Sequence, residues 1–377
     1  MLTFYTAGES HGKGVFAFVD GLPAGLKIDR QQIDADLKRR QLGYGRGSRM
    51  TIEQDHVDVL SGLRGGYTLG SPVLIAVWNR DFENWKKYLD TWKVVPGREF
   101  YTPRPGHADL AGAARFHHTD LRKVLERSSA RETAAKVAAG SLLKSLLKEL
   151  GLDVFSWVTR IGQVAYAGAF DQSLRDESSV FCPDAGITRA MMGEIDHAKE
   201  LGDTMGGEFK VVVRGAPAGI GSYTQWDQRL DSIIGAHLMS IPGIKAVQIG
   251  QGIVCANLPG SLVHDEILPT KPKSRSSNNA GGLEGGVTNG GAIEVTCSMK
   301  PIPTLRKGLK SVDIRDGTPV TSRYERSDCC AVPAASVVGE AVMAIAVSKA
   351  ILMSFSSPTI QALQEAFEKH REYWETL

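Results

Sequence analysis

The chain has 377 residues, of which 42% are hydrophobic and 23% charged, a balance typical of a folded globular protein with one large domain or two smaller ones. The 44 Lys and Arg residues nearly balance the 42 Asp and Glu residues, and the formal net charge of +2 argues against a surface coated in nucleic acid. The 41 glycines are an excess that indicates tight turns and backbone brought close to a ligand.

The amino terminus reaches Glu9 and His11 without a basic segment followed by an apolar run, so no secretory signal is expected. The five cysteines are an odd number and contain no C-x-x-C spacing, which disfavours a zinc site or a disulfide framework. No metal is therefore expected, and the cytoplasm is the predicted compartment.

A turn motif occurs twice. Residues 12–26 (GKGVFAFVDGLPAGL) and 206–220 (GGEFKVVVRGAPAGI) each run from a β-rich stretch into a G-x-P-x-G turn. The repeat predicts a single domain with two pseudo-symmetric halves, approximately 1–200 and 201–377. Regular alternation of strands and helices is missing, so we expect an α+β fold in which antiparallel sheets pack on central helices.

Two long helices are predicted. Residues 121–150 form the first, which Asp120 can cap and which ends at Gly151. Residues 333–353 form the second, which begins with proline and is apolar on nearly every face. Two charged residues interrupt its apolar run, so we interpret it as an enclosed core helix rather than a membrane span.

Residues 271–291 are rich in Ser, Asn and Gly and are longer than an ordinary connection. The segment is either a surface loop or a loop that orders over a ligand, and its length favours the second. Its glycines, followed by Lys300, could cradle a phosphate through backbone amides and a cation.

Two histidines lie next to glycine turns, His11 in GESHG and His107 in RPGHADL. Such turns hold a side chain in an accessible position, where imidazole can exchange protons near neutral pH. Both are acid–base candidates, although each could instead be a loop histidine bonded to the backbone. Asp328, just before the second long helix, is either a general base or a helix cap.

Arginines cluster in residues 39–50 and again in 122–131, where Arg127 and Arg131 are four apart and are predicted to share one helix face. This density requires an anion or neighbouring carboxylates such as Glu126, and the guanidinium fork suits phosphate and carboxylate. A polyanionic small molecule is the favoured ligand. The alternative is a Gly/Arg-loop RNA-binding protein, which the near-zero net charge disfavours.

Nucleotide-binding fingerprints are weak. Residues 12–17 match G-x-G-x-x-A by letters, but no strand precedes them and no helical period follows. A P-loop sequence does not occur, so a classical NAD fold and a P-loop kinase are both disfavoured.

Seven motifs occur in a fixed order along the chain. They are GESHG (8–12), RRQLGYGRGSRM (39–50), RPGHADL (104–110), LERSSARET (125–133), GGLEGGVTNG (281–290), KPIPTL (300–305) and ERSD (325–328). Together, and in this order, they resemble the chorismate synthase family, from the first ten residues to about residue 353.

The resemblance implies a carbon–oxygen lyase that converts 5-enolpyruvylshikimate 3-phosphate to chorismate by 1,4-anti elimination of phosphate, the last step of the shikimate pathway towards aromatic amino acids. It implies reduced FMN as cofactor, a β-α-β sandwich with long helices between two antiparallel sheets, and a homotetramer. An external flavin reductant is expected, and neither nucleic acid nor membrane is expected as a partner. An inactive relative of the family would bind FMN without turnover.

The resemblance also implies residue roles. His11 would protonate the departing phosphate, His107 would protonate or stabilise the reduced flavin near N1, and Asp328 would assist flavin N5 in removing the C6 proton. Arginines would bind the substrate's anionic groups: Arg40, Arg46, Arg49, Arg104, Arg131 and Arg326. The first two also match positions that the family assigns to NADP.

Flavin contacts follow from the same resemblance. Arg40 and Arg46 are the cofactor-binding positions matched to NADP, and the flavin contacts are Arg127, Ser128, Ser129, Pro242, Gly243, Gly285, Lys300, Pro301, Ile302, Pro303, Thr304 and Arg326. The family commonly has Asn-Ala where this chain has Pro242 and Gly243, so any contact there must use the backbone carbonyl or van der Waals packing.

Overall fold

Two antiparallel sheets lie on either side of a layer of helices in the computed structural model, which describes residues 2–47, 53–325 and 327–377. The four-stranded sheet has the order β1 (Thr3–Gly8), β2 (Gly14–Asp20), β6 (Val73–Trp78), β3 (Asp58–Ser61). The five-stranded sheet has the order β10 (Ile244–Ile249), β13 (Ile293–Met299), β9 (Gly207–Arg214), β7 (Asp153–Ile161), β8 (Val164–Ala165). Three hairpins are β4 (Leu63–Arg64) with β5 (Tyr67–Thr68), β11 (Leu283–Glu284) with β12 (Val287–Thr288), and β14 (Lys310–Val312) with β15 (Pro319–Thr321).

The helices fall into long core helices and short connecting ones. In chain order they are α1 (Arg30–Gln41), α2 (Phe82–Trp85), α3 (Asp109–Phe116), α4 (Arg122–Ser128), α5 (Thr133–Glu149), α6 (Gln172–Glu177), α7 (Ala185–Glu200), α8 (Leu230–Met239), α9 (Gly260–Val263), α10 (Val332–Ser354) and α11 (Ile360–Thr376). In the described parts of the chain, 3₁₀ turns cover Ala130–Glu132 and Gly252–Asn257.

Helices α5 and α10 form the centre of the layer. Helix α5 packs on β2 and β6 of the first sheet, α10 packs on β7 and β9 of the second, and the two helices pack on each other. The absence of a side chain at Gly140 permits this, since a Cβ there would lie 2.3 Å from the carbonyl oxygen of Ala341. A Cβ at Gly339 would likewise lie 2.4 Å from the Phe209 ring on β9. Backbone contact at these glycines sets the thickness of the sandwich.

The expected α+β class, with long helices between two antiparallel sheets, is confirmed. The β-rich stretches of the two repeat motifs lie on β2 and β9. Helix α10 is buried along nearly its whole length, as a helix apolar on all faces requires. It is also the one helix in the described ranges that is long and apolar enough to cross a membrane.

The prediction of one helix over residues 121–150 is wrong at its centre. Helix α4 ends at Ser128, Ser129 has extended backbone (φ −66°, ψ 143°), and α5 begins only at Thr133. The Ser129 hydroxyl accepts from the Arg131 amide, a local bond that competes with helix continuation. Consequently Arg127 and Arg131 do not share a helix face. The predicted end at Gly151 is correct, because its φ of +75° terminates the helix.

The 271–291 segment is not a loop ordered over the cavity described below. Its second half forms the β11–β12 hairpin, which packs on the turn of the second repeat motif. Thr288 donates to the Pro217 carbonyl at 2.6 Å and accepts from the Ile220 amide at 2.9 Å. These two hydrogen bonds of a buried threonine hold the hairpin against the turn, which is a structural role.

The first repeat motif has the same contacts. Thr68, on the β4–β5 hairpin, donates to the Pro23 carbonyl at 2.6 Å and accepts from the Leu26 amide at 2.9 Å. Each G-x-P-x-G turn is thus held by one threonine on a two-stranded hairpin. This correspondence supports our proposal that the chain consists of two related halves in one domain.

Candidate active site

A cavity of about 490 Å³ lies where α5 and α10 begin. Its volume is within the range of roughly 300–1,000 Å³ usual for small-molecule sites. The positive ends of both helix dipoles border it, an arrangement that favours anionic ligands. Its walls come from turns and loops at widely separated positions in the chain, so the fold assembles the site from distant segments.

The three acid–base candidates all line this cavity. His11 lies in the turn between β1 and β2, His107 precedes α3, and Asp328 precedes α10. The structure therefore brings together side chains that are hundreds of residues apart in sequence.

His11 is held by Glu126 of α4. Its Nδ1 lies 2.8 Å from Glu126 Oε1, and its backbone N–H donates to Oε2 at 2.8 Å. The Trp85 ring packs against the imidazole with centroids 4.0 Å apart. The imidazole is therefore fixed in orientation, with a carboxylate on one nitrogen and an indole against one face.

His107 is held by a carboxylate two residues away. Its Nδ1 lies 2.6 Å from Asp109 Oδ1, while Arg104 donates to Asp109 through Nε (2.8 Å) and Nη2 (3.0 Å). Burial alone would raise the pKa of the Asp109 carboxyl, but the hydrogen bonds from His107 and Arg104 hold it well below its usual range. Asp109 is thus a buried anion that orients both cavity side chains.

Asp55 joins two of the predicted arginines. Arg40 Nη2 donates to Asp55 Oδ2 at 2.7 Å and Arg131 Nη1 donates to Oδ1 at 2.6 Å. Burial raises the pKa of the Asp55 carboxyl, but the two guanidinium groups outweigh it and keep the pKa below its usual value. The repulsion expected between clustered arginines is relieved here by a carboxylate of the chain.

Asp328 is also paired. It accepts from Arg46 Nη1 at 2.5 Å and from the Gly47 amide at 2.6 Å. Sequence reasoning left Asp328 as a base or a helix cap, and no side-chain cap hydrogen bond is found at the start of α10. Its contacts are with the segment after α1, so it connects two walls of the cavity.

Most of the residues expected to contact flavin line the cavity. They are Ser128, Ser129, Pro242, Gly243 and the stretch Lys300, Pro301, Ile302, Pro303 and Thr304. Arg40 and Arg46, which match the NADP positions, line it as well. The Ser128 hydroxyl is buried and has no hydrogen-bond partner among residues 2–47, 53–325 and 327–377. The Gly243 carbonyl accepts from the Lys300 amide at 3.0 Å. This hydrogen bond joins Pro242 and Gly243, the pair that differs from the family's usual Asn-Ala, to the Lys300 stretch.

Two of the expected site residues that the structure describes, Arg127 and Gly285, are not found at the cavity. Arg127 is exposed and donates to the Thr6 hydroxyl at 2.6 Å and to the Thr6 and Gly8 carbonyls. Gly285 lies in the β11–β12 turn and is not among the residues that line the cavity. Arg49 and Arg326 lie outside the described residues.

The sequence analysis did not recognise several residues of this site. Asn79 accepts from Arg131 Nε at 2.7 Å and donates to the Gly12 carbonyl at 2.8 Å, so it links an arginine to the His11 turn. Asp55 and Trp85 carry no local motif that would have marked them. Asp109 could have been found, because it follows His107 at a spacing that permits a local hydrogen bond.

The fold and the cavity are those of an α+β enzyme with a small-molecule site lined by several arginines. The family model described as chorismate synthase matches residues 2–352. Chorismate synthase of Carboxydothermus hydrogenoformans is 48% identical over 98% of both chains, and that of Desulforudis audaxviator is 49% identical over 100% of this chain and 98% of its own. A solved crystal structure of chorismate synthase is similar with a TM-score of 0.81 and 36% identity, covering 100% of this chain and 99% of that chain.

This chain belongs to the chorismate synthase family. It is a lyase, with a place in chorismate and aromatic amino acid biosynthesis. The family acts on a small molecule, so the RNA-binding alternative is not supported.

Proposed function

We propose that this protein converts 5-enolpyruvylshikimate 3-phosphate to chorismate by 1,4-anti elimination of phosphate with reduced FMN, as the last step of the shikimate pathway. The observation that carries the proposal is that His11, His107 and Asp328 line one cavity together with arginines from three separate segments. A departing phosphate develops negative charge, which preorganised cations stabilise.

The residues present fit a flavin phosphate and ring. Ser128 contributes a buried hydroxyl without a partner in the described parts of the chain, and Lys300 and the helix ends contribute positive charge. Trp85, Ile241 and Met299 supply apolar surface. Reduced FMN, when bound, supplies electron density that eases C–O cleavage.

The arginines would bind the anionic groups of the substrate. Arg40 and Arg131 share the single carboxylate of Asp55, and Arg40 Nε has no hydrogen-bond partner among the described residues. The planar guanidinium suits phosphate and carboxylate, and Asp55 fixes both groups before the substrate arrives.

The acid–base residues have distinct roles in this proposal. His11 donates the proton to the leaving phosphate from Nε2, because Glu126 occupies Nδ1. Asp328 assists removal of the C6 proton, and His107 stabilises the reduced cofactor on the wall that Arg104 and Asp109 form.

The test is an anaerobic assay of the purified protein with the named substrate and chemically reduced FMN. We expect chorismate to appear by absorbance, with one phosphate released for each chorismate, and no turnover with oxidised FMN. Absence of turnover under strictly reducing conditions would overturn the proposal, and FMN binding without turnover would identify an inactive relative.

We further infer that an external reductant supplies the reduced flavin and that the protein is a cytoplasmic homotetramer. NADPH with the purified protein alone should leave FMN oxidised, although Arg40 and Arg46 match positions assigned to NADP in the family. Light scattering should give about four times the chain mass of 40.7 kDa. Flavin reduction by NADPH without a reductase would contradict the first inference, and a monomer mass the second.

A further inference from the structure

We propose that Glu126 is a positioning residue for His11. It holds a hydrogen on Nδ1 of the imidazole, so that Nε2 is the nitrogen that takes up a second proton and passes it to the leaving phosphate. The catalytic consequence rests on the proposed function, whereas the tautomer is a property of the protein alone.

Glu126 binds His11 with both carboxylate oxygens. Oε2 accepts from the backbone N–H at 2.8 Å, and Oε1 faces the ring at Nδ1, also at 2.8 Å. The Glu126 side chain is 6% exposed and that of His11 13%, so water does not replace these contacts. Backbone and ring of one residue are thus held by one carboxylate.

The tautomer follows from the chemistry of the partner. An ionised carboxylate only accepts hydrogen bonds, so Nδ1 must carry a hydrogen when the ring contacts Glu126. The opposite tautomer would place the Nδ1 lone pair against a carboxylate oxygen at 2.8 Å, which is repulsive. Nε2 is the ring nitrogen left for another partner.

Glu126 is itself fixed from two directions. Its backbone carbonyl accepts from the Ser10 amide at 2.7 Å, and Arg122 Nη1 lies 3.8 Å from Oε1. The Arg122 guanidinium stacks near Trp85 and Phe100, with centroid distances of 5.1 and 5.0 Å. Because Trp85 also packs on the His11 ring, the acid and its carboxylate share one rigid support.

Glu126→Gln is an informative substitution because it keeps the shape and reverses one hydrogen bond. The backbone N–H of His11 requires an acceptor, so the amide oxygen must face it and the amide NH₂ must then face Nδ1. An NH₂ donor selects the tautomer with a lone pair on Nδ1 and hydrogen on Nε2. The variant is therefore expected to invert the tautomer of His11.

The primary measurement is nitrogen NMR of ¹⁵N-histidine-labelled protein without flavin or substrate, at a pH where the imidazole is neutral. The His11 signals are assigned by their loss in His11→Ala. We expect the Nδ1–H form in the wild type and in Glu126→Asp, and the Nε2–H form in Glu126→Gln. The same tautomer in the wild type and in Glu126→Gln would overturn the proposal, whatever the activity of either protein.

Turnover gives the second measurement. We expect Glu126→Gln to lose at least about tenfold in kcat with little change in the KM for substrate. The amide NH₂ cannot accept from Nδ1–H, so it disfavours the doubly protonated ring that donates from Nε2, whereas the anion contacts are unchanged. The matched control is Glu132→Gln, which removes a carboxylate that pairs with Lys136 at 3.0 Å and does not line the cavity; it should retain wild-type kcat. Wild-type kcat in Glu126→Gln would contradict the proposal.

The two measurements separate two failures. An inactive wild type whose tautomer inverts in Glu126→Gln would reject the proposed function and leave the positioning role intact. If Glu126→Gln does not fold, Glu126→Asp provides the test, since it keeps an acceptor and should keep the Nδ1–H form with reduced kcat. Loss of that form in a folded Glu126→Asp would overturn the proposal.

Discussion

Arg39 and Arg40 are neighbours on α1, yet their side chains enter two different groups of buried charge. Arg39 belongs to what we call the interior cluster, which consists of Asp36, Arg39, Lys144 and Glu340. Arg40 belongs to what we call the cavity cluster, which consists of Arg40, Asp55 and Arg131. Both clusters are carboxylate–cation contacts in the protein interior.

Access to the cavity distinguishes them. Glu340 accepts from Arg39 at 3.0 and 3.1 Å, from Ser156 at 3.0 Å and from Lys144, and none of these groups lines the cavity. Arg40 and Arg131 do line it. The same chemistry therefore connects helices in one place and, by our proposal, binds a ligand in the other. Residue type alone does not tell the two apart.

The largest expected effect is on turnover, from the loss of a side chain that lines the cavity. His11→Ala should lower turnover with reduced FMN by about 10²- to 10⁴-fold, the usual contribution of a general acid. The imidazole contacts Trp85 and Glu126, so the unfolding midpoint in urea should fall modestly while the protein remains folded. Anaerobic steady-state assays measure the first and circular dichroism the second. A folded His11→Ala protein with wild-type turnover would contradict the role of His11 as the general acid.

A substitution in the interior cluster should act on stability instead. Glu340→Gln leaves the partly buried Arg39 and Lys144 beside a neutral amide, with Asp36 as their remaining carboxylate, and should cost about 3 kcal/mol in the free energy of unfolding. Urea denaturation measures this, and protein that remains folded should bind FMN as the wild type does. A change in flavin affinity without loss of stability would break the distinction between the clusters.

Acid should weaken both clusters. Burial raises the pKa of the Glu340 carboxyl, but Arg39 and Lys144 hold it well below its usual range, and the pKa of Asp55 is also lowered. A carboxyl whose pKa is lowered in the folded protein adds to the free energy of unfolding at pH values above its unfolded pKa of about 4. That contribution is lost as the pH falls below this value. Urea midpoints should therefore be level between pH 7 and about 5 and fall below about pH 4. A rise in stability with acid would contradict this sign.

The smallest effect is expected from a pair of glycines. Gly243 has a φ of +89°, and a Cβ there would lie 2.9 Å from Met299 Cε, whereas a Cβ at Gly235 on α8 meets no atom within 4 Å. Gly243→Ala should destabilise the fold by about 1–2 kcal/mol and weaken FMN binding, while Gly235→Ala should stabilise it by up to about 1 kcal/mol. Thermal unfolding measures the stability of the two variants, and flavin titration measures their affinity for FMN. Equal stability and equal FMN affinity of the two variants would contradict a role of Gly243 in shaping the cavity.

Sequence reasoning was most successful where a signal is local or continuous. The uninterrupted apolar character of α10 predicted its burial, and β-rich runs beside G-x-P-x-G turns predicted strands. Ser129 was different, because good helix formers on both sides concealed a break that tertiary contacts favour. Because the break at Ser129 was not recognised, Arg127 and Arg131 were predicted to lie on one face of a continuous helix.

The partners of the cavity residues were harder to find. Asp109 is two residues from His107, but Glu126 is 115 residues from His11, and Asp55 has no sequence feature that links it to Arg131. Such contacts depend on how the two sheets are brought together by the helices between them. The motifs identified the reactive side chains, and only the fold identified the carboxylates that hold them.

The close approach at Gly140 has a mechanical consequence for the reaction. Helices α5 and α10 meet backbone to backbone at Gly140, and both begin at the cavity. The spacing between the helices at Gly140 therefore affects the spacing of their first turns. A Cβ at residue 140 would lie 2.3 Å from the Ala341 carbonyl oxygen, so Gly140→Ala should push the two helices apart and, by our proposal, alter the cavity that Thr133 and Ala334 line. The helix spacing that Gly140 permits should therefore influence the cavity about two helical turns away.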